Sequence, residues 1–159
     1  MNNQCLMILA AIVCGTTLSA HGSNCDPKEF LVLKAREKAM VVTEKQIAAL
    51  PQHAITTSTS LTRKGTYRGP YASDVIALTR FAESHDIVVY TWDGGRIKIA
   101  VSDLDRYGVI LAISLNDVKL RLDDLGPLSL VYPYDQHEEL HSPKPWNKMA
   151  WQVCRIDIS

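Results

Sequence analysis

The sequence predicts a single α+β domain with more strand than helix. Short segments rich in β-branched residues recur along the chain at a spacing typical of an antiparallel sheet, as in residues 38–42, 86–92 and 96–101. One segment, from Ser73 to Ala82, carries a clear apolar stripe at helical spacing. Strands and helices do not alternate as they do in βαβ units, so a parallel sheet with crossover helices is not expected.

The amino-terminal segment is expected to be a signal peptide. An apolar run from Cys5 to Leu18 is too short to cross a bilayer comfortably, and the small residues Ala20 and Gly22 follow it. We therefore assign residues 1–22 to a signal peptide and residues 23–159 to one domain, periplasmic or secreted, with no membrane span of its own. An uncleaved anchor is the main alternative.

The first elements of the domain are predicted from local signals. Thr43 can accept a hydrogen bond from the first turn of a helix, with Glu44 and Gln46 near the positive end of that helix, and Pro51 ends it. In order, the predicted elements are a hairpin of the strands Phe30–Lys34 and Lys38–Val42, a helix Glu44–Leu50 and an exposed or edge strand Ile55–Leu61.

The remaining elements follow from alternation and turn residues. Ser73 begins the clearest helix and Asp74 lies in its first turn. Gly94 and Gly95 turn the chain within a hairpin, and Asn116-Asp117 is a further turn signal. Ser102 can cap a short helix over Asp103–Tyr107. The predicted strands are Asp86–Trp92, Arg96–Val101, Val109–Leu115, Lys119–Leu122, Leu128–Tyr132 and Trp151–Ile158.

Several spaced motifs resemble the molybdopterin-binding domain of the sulfite-oxidase-like oxidoreductase family, especially its small exported members. They are Tyr67-Arg68-Gly69-Pro70, Ile97-Lys98-Ile99 with Ser102-Asp103-Leu104, Val109-Ile110-Leu111-Ala112, Gly126-Pro127-Leu128 with Val131-Tyr132-Pro133, and Trp151-Gln152. The resemblance runs from about residue 28 to the carboxyl terminus. It implies a compact, mainly antiparallel, barrel-like sheet with a few short helices.

The chain departs from the catalytic members of that family at two positions that matter. Those members hold molybdenum through a cysteine thiolate, whereas this sequence has no cysteine between Cys25 and Cys154. Where they carry an arginine after the Gly-Pro-Leu turn, this chain has Ser129. The resemblance therefore implies the scaffold, and we expect no resident cofactor, a molybdopterin being implied by the resemblance only.

The two cysteines of the predicted mature domain lie at opposite ends of it. In an oxidising compartment Cys25 and Cys154 are candidates for a disulfide; two unpaired thiols are the alternative.

A literal H-E-x-x-H motif occupies residues 137–141. On a long helix His137 and His141 would bind zinc and Glu138 would activate a water. Pro133 and Pro143 lie close on either side, so a polar loop is expected instead of that helix.

Five residues are candidates for a ligand site. Arg63 and Arg68 flank glycines in a turn-rich stretch that could grip an anion, an ordinary solvated loop being the alternative. Trp92, Asp93 and Tyr132 belong to a wider set at strand ends or in loops, which suits either a ligand pocket or core packing. Its other members are Tyr107, Tyr134, Trp146 and Trp151. Trp92 could raise the pKa of Asp93 by burying it; a turn-forming aspartate before two glycines is the simpler interpretation.

Together these observations favour a non-catalytic module that binds a small ligand or a membrane-bound partner. An oxidoreductase that binds a molybdopterin-type cofactor without cysteine ligation is the alternative, and a zinc hydrolase using residues 137–141 is a weaker one. A formal net charge of zero gives no reason to expect nucleic acid as a partner.

Overall fold

The computed structural model describes residues 25–81, 84–141 and 148–159. The predicted signal peptide lies outside these ranges, as does Trp146, which belongs to the wider aromatic set. Among the described residues, no helix has the length and apolar character needed to cross a bilayer.

The described part of the chain forms short strands and three short α-helices, as the α+β prediction requires. In chain order they are β1 Leu31–Ala35, β2 Lys38–Val42, α1 Glu44–Ala49, β3 His53–Thr57, β4 Gly65–Gly69, α2 Ala72–Ala77, β5 Asp86–Thr91, β6 Arg96–Ala100, α3 Val101–Tyr107, β7 Ile110–Ala112, β8 Ser114–Leu115, β9 Val118–Lys119, β10 Ser129–Val131 and β11 Val153–Ile158.

A five-stranded sheet joins the two ends of the domain. Its strand order is β2-β1-β11-β5-β6, and β1 pairs with β11 in parallel while the other pairs are antiparallel. The two hairpins at its edges, β1–β2 and β5–β6, are those predicted from the sequence. Leu33 of β1 lies opposite Ile156 of β11, and both side chains are fully buried.

The remaining strands form a second group. A four-stranded sheet has the order β3-β4-β8-β9, and β7 pairs with β10 beside it. Two backbone hydrogen bonds link the β7 region to β4 and its end. Ile113 donates its N–H to the carbonyl of Arg68 at 2.8 Å, and Leu111 donates its N–H to the carbonyl of Pro70 at 2.9 Å. Asn116 and Asp117 both have positive φ, the geometry of the two-residue turn expected between β8 and β9.

Two fold predictions need correction. In the part of the chain that the structure describes, the strands form open sheets and no closed barrel. The stretch treated as a turn-rich loop contains β4, which lies between β3 and β8. A Cβ on Gly69 would lie 2.1 Å from the carbonyl oxygen of Leu111, so close strand packing, and not turn flexibility, requires this glycine.

The helices differ from prediction at their ends. The first is confirmed, with a capping box between Thr43 and Gln46. The second begins at Ala72, without a side-chain cap, and ends at Ala77, well before the predicted end at residue 82. Its end is set by the following turn, in which Arg80 has a φ of +56° and donates its N–H to the carbonyl of Ala77.

Cys25 and Cys154 form a disulfide, with their Cα atoms 5.6 Å apart. Cys154 lies on β11, beside β1, and both cysteines are buried. The bond therefore ties the amino-terminal end of the described domain to its carboxyl-terminal strand.

Candidate functional site

Tyr132, which follows β10 directly, is the most unusual of the predicted site residues. Its side chain is fully buried, yet its hydroxyl has no hydrogen-bond partner among the described residues. The rings of Tyr107 and Tyr134 lie 6.1 Å and 6.2 Å from its ring, and His137 meets Tyr107 edge-on at 5.1 Å. We refer to Tyr107, Tyr132, Tyr134 and His137 as the tyrosine cluster.

Burial and nearby charge keep the phenols of Tyr132 and Tyr134 protonated. Burial raises the pKa of Tyr132, and the negative charge of Asp103 raises it further. Burial also raises the pKa of Tyr134, to about 12. Asp103 is paired with Lys148. The Tyr132 hydroxyl is therefore a neutral donor with an unused hydrogen, the state in which it can donate to an acceptor atom of a ligand.

The H-E-x-x-H segment does not form the helix of a zinc enzyme. Tyr134–Gln136 and Glu138–His141 are two short 3-10 helices, with His137 between them. The Nε2 atom of His141 lies 2.7 Å from the carbonyl oxygen of Tyr134. Within residues 25–81, 84–141 and 148–159, no three His, Cys, Asp or Glu residues are placed to share a metal ion. The segment thus lacks the single long helix that the motif requires, as the flanking prolines indicate.

Trp92 and Asp93 lie at the end of β5. Asp93 is exposed and accepts hydrogen bonds from the Thr91 hydroxyl and from the Gly95 N–H, at 3.1 Å, and the first of these is the main reason its pKa is lowered. The interpretation that Trp92 raises this pKa is wrong, and the turn-forming one is confirmed. The indole N–H of Trp92 is buried without a partner in the described chain, beside a groove of about 260 Å³ lined in part by Phe30.

Arg63 and Arg68 do not converge on an anion site. Arg63 is exposed in the loop before β4, and Arg68 lies on β4, where its Nε donates to the carboxylate of Asp117 at 3.0 Å. No hydrogen bond or ion pair between described residues joins either arginine to Trp92 or Tyr132. The structure thus brings Tyr132 together with Tyr107 and Tyr134, whereas no contact between described residues joins all five candidates in one site.

The residues present do not fit a cysteine-ligated molybdenum. Cys25 and Cys154 are bonded to each other, so neither offers a thiolate. The chain has no cysteine between them, and Cys5 and Cys14 precede the described residues. Ser129 is fully buried and donates its hydroxyl to the Leu125 carbonyl at 2.5 Å, so this position presents no side chain for an external group.

Sequence reasoning did not identify a second concave feature. A groove of about 610 Å³ lies between the β1–β2 turn and the segment that follows α2. Arg36 and Arg80 line it from opposite sides, and each holds a positive φ, of 53° and 56°. A charged residue in the two-residue turn, where glycine or asparagine is usual, is the signal in the sequence that could have drawn attention to Arg36.

Comparisons with known proteins show a fold relationship. No family model matches the chain, and no curated protein matches it. Among solved structures it is similar to a chain of the sulfane dehydrogenase SoxCD from Paracoccus pantotrophus, with 16% identity and a TM-score of 0.63. The match covers 82% of this chain and 38% of that one. This distant likeness shows the fold alone and is consistent with the sulfite-oxidase-like fold that the sequence motifs imply.

Proposed function

We propose that this protein is an exported, non-catalytic domain of sulfite-oxidase-like fold that binds a small ligand at the tyrosine cluster. The observation that carries the proposal is the bond between Cys25 and Cys154, which leaves the described chain without a thiolate for molybdenum. The buried Ser129, at the position of the arginine of catalytic relatives, supports the same conclusion.

The tyrosine cluster supports ligand binding through one unused donor. A buried hydroxyl without a partner is unfavourable unless something else accepts its hydrogen, and Tyr132 has this arrangement among aromatic rings. A ligand that inserts an acceptor oxygen or nitrogen between these rings would satisfy the donor and cover apolar surface. Because Tyr132 is fully buried, entry of the ligand requires a shift of neighbouring side chains.

The test is the molybdenum and pterin content of protein purified from its native compartment. We expect both to lie far below one equivalent per chain. Stoichiometric molybdenum with pterin would contradict the proposal, and pterin without molybdenum would favour the oxidoreductase alternative. The double variant Cys25→Ala/Cys154→Ala is the matched control, because metal content that depends on these sulfurs would show that the disulfide is not their working state.

Ligand binding is tested by native mass spectrometry of the same material. We expect a bound small molecule on the wild-type chain and its loss from Tyr132→Phe. Tyr67→Phe serves as the control, since the hydroxyl of Tyr67 is also buried but already pairs with Thr62 at 2.6 Å. Equal retention of the ligand by both variants would exclude the Tyr132 hydroxyl as its donor.

A further inference from the structure

We propose a second binding site, for an amphipathic anion, in the groove between the β1–β2 turn and the segment after α2. This inference does not depend on the proposed function of the tyrosine cluster. The volume of this groove, about 610 Å³, falls within the range of small-molecule pockets. It is an open groove, so a ligand can reach it from solvent.

The charges around this groove select an anion. Among the described residues that line it, Arg36, Lys38 and Arg80 are cationic and Glu37 is acidic. Neither Lys38 nor Arg80 has an ion-pair partner among the described residues. A guanidinium group presents a planar fork of donors that matches carboxylate and phosphate oxygens, so two arginines on opposite sides suit one anionic head group.

The remaining lining provides a place for an apolar tail. Met40 from β2, Leu78 at the end of α2 and Phe81 beyond it are each only partly buried and contribute to the wall. The Arg36 guanidinium lies 4.9 Å from the centre of the Phe81 ring, which places a cation directly beside this apolar wall. Head and tail of one short ligand can therefore be recognised within the same groove.

The backbone offers an independent argument. Arg36 and Arg80 both adopt the left-handed region that favours glycine, and both line the same groove. Glycine would remove the steric strain at either position but would also remove the guanidinium. Strained residues of this kind concentrate at ligand-binding positions, where the side chain is needed in one place.

The experiment uses octanoate as the probe, titrated by calorimetry below the concentration at which it forms micelles. We expect saturable binding of one octanoate per chain. Octanamide keeps the tail without the charge and acetate keeps the head without the tail, so each should bind at least about tenfold more weakly. Absence of saturable octanoate binding, or equal binding of octanoate and octanamide, would overturn the proposal.

Variants locate the site. Arg36→Gly and Arg80→Gly should each weaken octanoate binding by about tenfold, while Arg121→Gln, which removes an exposed cation elsewhere, should leave it unchanged. Because glycine tolerates positive φ, both groove variants should fold, and circular dichroism checks this. Unchanged binding by folded Arg36→Gly and Arg80→Gly would place octanoate outside this groove.

A second measurement does not require variants. The methyl resonance of Met40, in the groove, should shift on addition of octanoate, while that of Met149, buried elsewhere, should not. Binding of the protein to phosphatidylglycerol vesicles is measured as well. Binding to vesicles without binding of monomeric octanoate would show that the groove contacts a membrane surface, and would refute a small-molecule site.

Discussion

Replacing Tyr132 by phenylalanine should stabilise the protein, although tyrosine is buried at this position. The hydroxyl is buried and has no hydrogen-bond partner among the described residues. The folded state therefore has a desolvation cost of about 1–3 kcal/mol that no hydrogen bond offsets and that the unfolded state avoids. Deleting the oxygen leaves a void of roughly 10–15 Å³, which costs about 0.3 kcal/mol at about 24 cal/mol per Å³. The expected net effect is a gain of about 0.7–2.7 kcal/mol in the free energy of unfolding.

The matched control is Tyr67→Phe. Tyr67 is equally buried, but its hydroxyl pairs with the hydroxyl of Thr62 at 2.6 Å, and Thr62 also contacts Thr59 at 2.8 Å. Removing the Tyr67 oxygen therefore breaks a hydrogen bond while Thr62 keeps a partner, and a loss of about 0.5–1.5 kcal/mol is expected. The same chemical change at two buried tyrosines should thus have opposite signs.

The assay is equilibrium unfolding in urea, monitored by tryptophan fluorescence, with ligand-free protein. Wild type and both variants should share one m-value, so that a difference in midpoint reports stability. If Tyr132→Phe is destabilised as much as Tyr67→Phe, the Tyr132 hydroxyl has a partner in solution. That outcome would refute its assignment as an unused donor.

Two further predictions concern the scaffold. Reducing the Cys25–Cys154 disulfide, which spans 129 positions, should lower the free energy of unfolding by up to about 5 kcal/mol in the chain-entropy account. The urea midpoint should fall by about 2 M. The double alanine variant should not respond to reductant, and a wild-type chain that also fails to respond would contradict the pairing. Gly69→Ala should lower the free energy of unfolding by at least about 2 kcal/mol, because the new Cβ would meet the Leu111 carbonyl. Arg68→Ala, at the neighbouring exposed position, should change the free energy of unfolding by no more than about 0.5 kcal/mol. Equal losses in a urea titration would argue against close packing of β4.

The sequence predicts well those elements whose signals are local. The capping box of α1 needs only Thr43 and Gln46, and the β8–β9 turn needs only Asn116 and Asp117. The helix after Pro70 was predicted too long because its apolar stripe continues beyond Ala77, whereas the turn at Arg80 ends it.

What the sequence could not predict depends on contacts between distant segments. The glycines of β4 look like loop residues, and only the approach of Leu111 shows why Gly69 lacks a side chain. The larger groove is likewise formed by two segments some forty positions apart, and neither segment is a recognisable motif alone. The unpartnered state of Tyr132 is also invisible in sequence, since it depends on every group packed around the hydroxyl.

The disulfide reinforces the strand pair that joins the two ends of the domain. The one parallel strand pair of the five-stranded sheet, β1 with β11, joins segments from opposite ends of the domain, and such pairing is entropically costly to close. Cys25 lies just before β1 and Cys154 lies on β11, so their bond closes the same long loop as that strand pair. Both cysteine sulfurs of the domain therefore stabilise the scaffold, and the two sites proposed above use tyrosine and arginine side chains instead.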